Sequence, residues 1–151
     1  MPSVVFDSNV LVSGLLKRHR GGVPDQIMRQ PEKYELHLAE GILSETRRVL
    51  HYPRIQKKAQ LSEEEIAEYL DDLRSIATLH THLPDVDVIA ADPDDNLILA
   101  CALAADADYI VSGDPHLTDL GEYEDIQVIP PAAFLEMLKT SAASEEGDNS
   151  D

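Results

Sequence analysis

Four acidic residues fall where an α/β chain changes direction: Asp7 in VVFDSNVLVSGLL, Glu45 in GILSETRRVL, Asp95 in ADPDDNLILACALA and Asp114 in YIVSGDPH. Asp7 follows Val4-Val5-Phe6, whose β-branched and aromatic side chains predict a buried strand, and precedes the apolar start of a helix at Val10 to Leu16. Asp114 ends a second such run, Ile110-Val111-Ser112-Gly113. Ligands bind outside the carboxyl ends of parallel strands, at the point where strand order reverses. If these two strands are neighbours there, Asp7 and Asp114 face one crevice. Asp94 and Asp95 open the helix that enters the second of these strands, and Glu45 lies in the helix after the strand-like run Tyr34 to Leu38, so both helices can reach the same edge. Clustered carboxylates repel one another and must share protons unless cations neutralise them. The chain has no His and Cys ligand spacing, so hard oxygen donors predict Mg²⁺ or Mn²⁺ rather than Zn²⁺. Of the six histidines only His116 lies near a proposed ligand.

Each acid also has an ordinary alternative. Asp7, Ser8 or Asn9 can serve as a helix N-cap. Asp92, Asp94 and Asp95 complement a helix dipole, Glu45 with Arg48 three residues on makes a surface ion pair, and Asp114 in Gly-Asp-Pro forms a turn. None of these alternatives explains why all the acids fall at strand ends or helix segments that converge on one rim.

The elements that must position them alternate. Strand-like runs occur at Val4 to Phe6, Tyr34 to Leu38, Leu79 to Leu83 or Val86 to Ile89, Tyr109 to Ser112 and Ile126 to Ile129. In LSEEEIAEYLDDLRSIATL, Ser62 and Glu65 make a capping box and Ile66, Leu70, Leu73 and Ile76 or Ala77 share one face. In GILSETRRVL the inward stripe is Ile42 with Thr46 and Val49, or with Val49 and Leu50. A third helix opens at Asp92-Pro93 and continues through Leu97, Ala100, Cys101 and Ala104. Gly21-Gly22 splits the first crossover into two helices. The pattern predicts a three-layer α/β domain with a mostly parallel sheet and right-handed crossovers.

The 151 residues are long enough for one domain over residues 1–140 with a proper core, followed by an acidic, disordered tail at 141–151. Cys101, the single cysteine, reads as a buried free thiol. No apolar run is long enough for a membrane span, and no basic leader precedes the first strand, which predicts a cytoplasmic protein. The net charge of −17, from 29 acids against 12 Lys and Arg, excludes a generic nucleic-acid binder with a basic surface. It does not exclude an enzyme that brings phosphate in through divalent metal.

Together these segments resemble the PIN-domain family of metal-dependent ribonucleases, in particular its VapC-type toxin branch. Asp7-Ser8-Asn9-Val10-Leu11 looks like the family's opening motif, ILSETRRVL like its glutamate-bearing helix, and DPDDNLILACALAADADYIVSGD like its long signature with the last two acids. The resemblance implies a central parallel sheet of about five strands in the order 3-2-1-4-5, with helices on both faces. It also implies that Asp7, Glu45, Asp95 and Asp114 are catalytic and metal-holding, with Asp94 the competing third acid and Ser8 and Asn9 in support. His116 stands where related sequences often carry an Asp, which puts a second metal in question. The expected reaction is hydrolysis of RNA phosphodiesters, single-stranded or structured, with an antitoxin protein and a second copy of the chain as candidate partners. Arg18, Arg20, Arg47, Arg48 and Arg54 cluster in sequence around the first two motifs and are candidates for phosphate steering. Two rivals remain. A haloacid-dehalogenase-like phosphatase would use Asp7, Asp114 and Asp119, but needs an Asp where Asn9 stands. A non-catalytic PIN-like or receiver-like binding module would not need all four acids, and a receiver would need a Lys where Pro130 and Pro131 stand.

Overall fold

A computed structural model describes residues 1–18, 20–88 and 92–149, with 141–149 as backbone only. The chain runs β1 (Ser3–Phe6), α1 (Ser8–Leu16), α2 (Val23–Met28), a 3₁₀ turn at Pro31–Lys33, β2 (Glu35–Leu38), α3 (Glu40–Leu50), α4 (Pro53–Ala59), α5 (Glu63–Ile76) and β3 (Thr78–Leu79). It continues through α6 (Pro93–Ala105), β4 (Tyr109–Val111), α7 (Pro115–Thr118), β5 (Glu122–Tyr123), β6 (Ile126–Ile129) and α8 (Pro131–Asn149).

The strands form one sheet in the order β3-β2-β1-β4-β6-β5, parallel except for the β5–β6 pair. Counting β6 as the fifth parallel strand, this is the expected 3-2-1-4-5 order with one short antiparallel strand added at the edge. Successive residues of a strand point to opposite faces, and Val4, Val5 and Phe6 are all fully buried, so helices cover both faces of the sheet. On one face Phe6, Tyr34 and Phe134 pack as an aromatic trio, with ring centroids 5.4–5.8 Å apart.

The third strand occupies Thr78–Leu79, at the start of the first alternative, while 86–88 are not strand and Ile89 lies outside the described residues. The capping box forms as expected, Ser62 Oγ accepting from Glu65 N–H at 3.1 Å while Glu65 accepts from Ser62 N–H at 3.3 Å. On the inward face of α5, Tyr69 replaces Ile76: Ile76 is exposed, whereas Tyr69 is buried and donates its hydroxyl to Leu11 O, tying α5 to α1. On α3 the buried set is Ile42, Leu43, Thr46 and Leu50. Thr46 can face the core because its hydroxyl donates to Ile42 O at 2.8 Å. Cys101 is fully buried and burial pushes its thiol up to about 12, so it packs rather than reacts.

The β5–β6 hairpin is not legible in the sequence because its turn lacks the usual signal. Glu124 and Asp125 bridge the Tyr123–Ile126 pair with φ of 49° and 68°, the type I′ geometry for which Asn-Gly is the preferred pair. Glu124→Asn with Asp125→Gly should therefore stabilise the fold by about 1 kcal/mol, read as a rise of a few degrees in Tm. An unchanged or lower Tm would mean that the positive φ values carry no cost.

Candidate active site

Strand register builds the site. Phe6 pairs with Val111, and the pairing continues one step further as Asp7 N–H donates to Val111 O at 3.0 Å. Asp7 therefore emerges from the sheet beside Ser112. The N-cap alternative for Asp7 is realised. Its side chain caps α1, Oδ1 accepting from Asn9 N–H at 3.4 Å and from the Ser8 hydroxyl at 3.3 Å, while Oδ2 accepts from the Ser112 hydroxyl at 2.7 Å. The Ser112 oxygen in turn accepts from Asp114 N–H at 3.0 Å. Ser112 is fully buried and links the two acids at the strand ends, so it positions both. In the sequence it is only the end of a strand. The signal lies in the register, which sequence alone does not supply.

Asp114 caps α7 through His116 N–H at 2.9 Å. Across from it, Asp92 caps α6, accepting from Asp94 N–H at 2.9 Å, and the first turn of that helix carries the next acids. The two candidates for the third acid separate here. Asp95 is 4% exposed and its carboxyl faces Asp114 and Asp7. Asp94 is partly exposed on the rim, where it accepts from Arg48 at 3.1 Å and faces Glu45.

Glu45 reaches this rim because α3 and α6 approach closely at Gly41. A Cβ on Gly41 would lie 2.6 Å from Leu97 Cδ2. Gly41 and Leu97 lie one helical turn from Glu45 and Asp94 respectively, so the same close approach brings those two acids together. Glu45 is half-buried beside Ser8, Asp94 and Asp7.

The electrostatics record the crowding. Burial, then the Asp114 carboxyl, pushes Asp95 up to about 8, far above its ordinary 3.8. Burial and then Asp94 push Glu45 up to about 7. Asp7 is also raised, chiefly by burial and partly offset by the Ser112 hydroxyl. One oxygen stays unsatisfied: Asp95 Oδ2 is buried and accepts no hydrogen bond among the described residues. His116 Nδ1 lies 3.5 Å from it, at ion-pair range rather than in a hydrogen bond. A buried carboxylate oxygen left without a donor among other carboxylates fits a cation, and the donors are oxygen-rich. The acidic cluster can thus hold a divalent metal ion.

The arginines are less concentrated than the sequence suggests. Arg48 pairs with Asp94 at the site's rim, and Arg47 pairs with Glu63 at 3.2 Å. Arg18 lies over the Tyr69 ring, 6.0 Å from its centroid, in a groove also lined by Gly14 of α1 and Met28 of α2. Arg20 and Arg54 are exposed. A cavity of about 470 Å³ opens at the opposite edge of the sheet, where Pro2 precedes β1 and Asp108 precedes β4. The acids instead line an open rim. No helix among the described residues is long and apolar enough to cross a membrane.

The sequence matches a family model described as PIN domain over residues 3–116, a span from β1 to His116 that contains every acid above. No curated protein matches it. Among solved structures the fold is similar to a chain in the crystal structure of VapBC2 from Rickettsia felis bound to a DNA fragment from their promoter. That similarity has a TM-score of 0.55 at 12% identity and covers 85% of this chain and 98% of that one. At that identity the likeness is one of fold.

Proposed function

This chain belongs to the PIN domain family, and from that premise we propose that it is a metal-dependent endoribonuclease, the toxin of a toxin–antitoxin pair. The observation that carries the reading is Asp95, a buried carboxylate with an unpartnered oxygen beside Asp114 and Asp7. Such an arrangement is costly for folding and is relieved by a bound cation.

In this reading Asp7, Asp95 and Asp114 hold Mg²⁺ or Mn²⁺, with Glu45 completing the rim. The ion would supply Lewis acidity, lowering the pKa of a water and neutralising charge that builds on the phosphorus. The protein supplies the rest. Ser112 fixes the Asp7 carboxylate and the Asp114 backbone through two hydrogen bonds. Glu45, its carboxyl pushed up to about 7 by burial and Asp94, is suited to accept a proton from the attacking water and pass it on. Asn9, exposed at the first turn of α1, and Arg48, beside Asp94, stand where they can contact the RNA backbone. No side-chain nucleophile is required. The similarity to a VapBC2 chain supports an antitoxin protein as partner.

The test is cleavage of single-stranded RNA by purified protein, with and without Mg²⁺ or Mn²⁺, beside a phosphatase assay. RNA cleavage that chelation abolishes and metal restores is the expected result. Phosphomonoester hydrolysis without RNA cleavage would replace the reading with the dehalogenase-type alternative, and metal-independent cleavage would remove the metal from it.

Arg47 and Arg48 offer a separate prediction. With Mg²⁺ held constant, Arg47→Ala with Arg48→Ala should weaken binding of a non-cleavable RNA. The log–log salt slope should fall by roughly one unit for each phosphate the variant no longer neutralises. Both arginines already have carboxylate partners, so an unchanged slope and affinity would assign them to surface ion pairs, leaving Arg18 and Arg20 as the steering candidates.

A further inference from the structure

We infer that His116 is a nitrogen ligand of the cation site, and that through it the site favours first-row transition ions over Mg²⁺. The inference rests on the reading of the acidic edge as a cation site and deepens it. Three donor atoms, one each from Asp95, Asp114 and His116, lie within 4.8 Å of one another. His116 Nδ1 is 3.5 Å from Asp95 Oδ2 and 3.8 Å from Asp114 Oδ1. A cation about 2.0–2.2 Å from each donor needs them within roughly 4.4 Å of one another, so shifts of a few tenths of an ångström close the shell. Asp95 Oδ2 is the unpartnered oxygen, and it is the carboxylate atom nearest the ring on that side.

The local chain holds the backbone that carries the imidazole. Pro115 opens α7 and His116 donates its backbone N–H to Asp114 Oδ1 at 2.9 Å, so the His116 backbone and the Asp114 carboxylate are fixed to each other within one turn. The ring is half-exposed, which leaves it free to turn toward a bound ion without disturbing the core. The chemistry of the donor then sets selectivity. Mg²⁺ prefers an all-oxygen shell and gains little from imidazole, whereas affinity for nitrogen rises across the first row toward Co²⁺, Ni²⁺ and Zn²⁺. A carboxylate at this position would bring a further negative charge and favour Mg²⁺. His116 brings nitrogen instead of that charge.

The test uses metal-free full-length protein, with no RNA. Co²⁺ and Mg²⁺ affinities would be measured by calorimetry for the native chain, His116→Ala and His116→Asp, and Mn²⁺-loaded samples studied by pulsed EPR for coupling to ¹⁴N. Removing the ligand should weaken Co²⁺ at least about tenfold and leave Mg²⁺ nearly unchanged. His116→Asp should lower the ratio of Co²⁺ to Mg²⁺ affinity by a similar factor, and the ¹⁴N coupling should vanish in both variants. His80→Gln serves as control, because His80 lies outside the Asp95–Asp114–His116 group, its Nε2 2.9 Å from His37 Nδ1. That variant should keep the coupling. An unchanged affinity ratio in His116→Ala, or coupling that disappears only in His80→Gln, overturns the inference while leaving the acidic metal site standing. Failure of the native chain to bind any of the three ions overturns both.

Discussion

Asp7→Asn should reduce RNA cleavage by at least ~10³-fold at every salt concentration, a loss of about 4 kcal/mol in transition-state stabilisation. The size follows from position. Asp7 is buried at the strand edge, and its two oxygens join the start of α1 to Ser112 and hence to Asp114. Asn keeps an oxygen for the cap but puts an N–H₂ or a neutral carbonyl where a charged ligand is needed. The helix should therefore form, and circular dichroism should match the native protein. Substitution of the arginines would instead change salt dependence and leave the chemical step in place, so the two defects have distinct signatures. Near-native cleavage by Asp7→Asn would place the catalytic centre elsewhere on the molecule.

The metal-free protein should lose stability as pH rises from about 4 to about 8. Asp95 and Glu45 have ordinary values of 3.8 and 4.5 but are pushed up to about 8 and about 7 in the fold. Across that window the folded chain retains protons that the unfolded chain has released. Stability changes with pH in proportion to protons bound unfolded minus protons bound folded, so the slope is negative. Asp114→Asn removes the charge that acts on Asp95 and Asp7, while its remaining oxygen can still accept from His116 N–H and cap α7. The variant should melt several degrees higher than the native chain at pH 8 without metal, and nearly level with it at pH 5. Added divalent ion should reverse the order at pH 8, because only the native site binds it tightly. A metal-free Tm that is flat with pH, or an Asp114→Asn variant that melts lower at pH 8 with its fold intact, would show that the acids do not form a repulsive cluster.

Sequence alone determined the parallel strands and which of their ends carry acids. Short β-branched runs ending in Asp7 and before Asp114, separated by capped helices, specify parallel strands whose carboxyl ends carry acids, because hydrophobic period and capping are local properties. It could not choose between Asp94 and Asp95. The helix they open, PDDNLILACALAA, is apolar almost all round, so its period does not reveal the inward face. A stripe through Leu97, Ala100, Cys101 and Ala104 would favour Asp94. Packing on β1, β2 and β4 buries Ala100 and Cys101 of that stripe but also Ile98, Leu99 and Ala102, and leaves Ala104 exposed; the face one turn back from Ile98 and Leu99 is Asp95. The tertiary structure likewise made Ser112 a bridge, since only the Phe6–Val111 register sets it against Asp7. It turned His116 toward Asp95, 21 positions away in the chain, and it gave Arg47 and Arg48 carboxylate partners from distant helices. Those outcomes depend on distances between elements, and such distances are fixed by side-chain packing across the whole core rather than by any stretch of sequence within it.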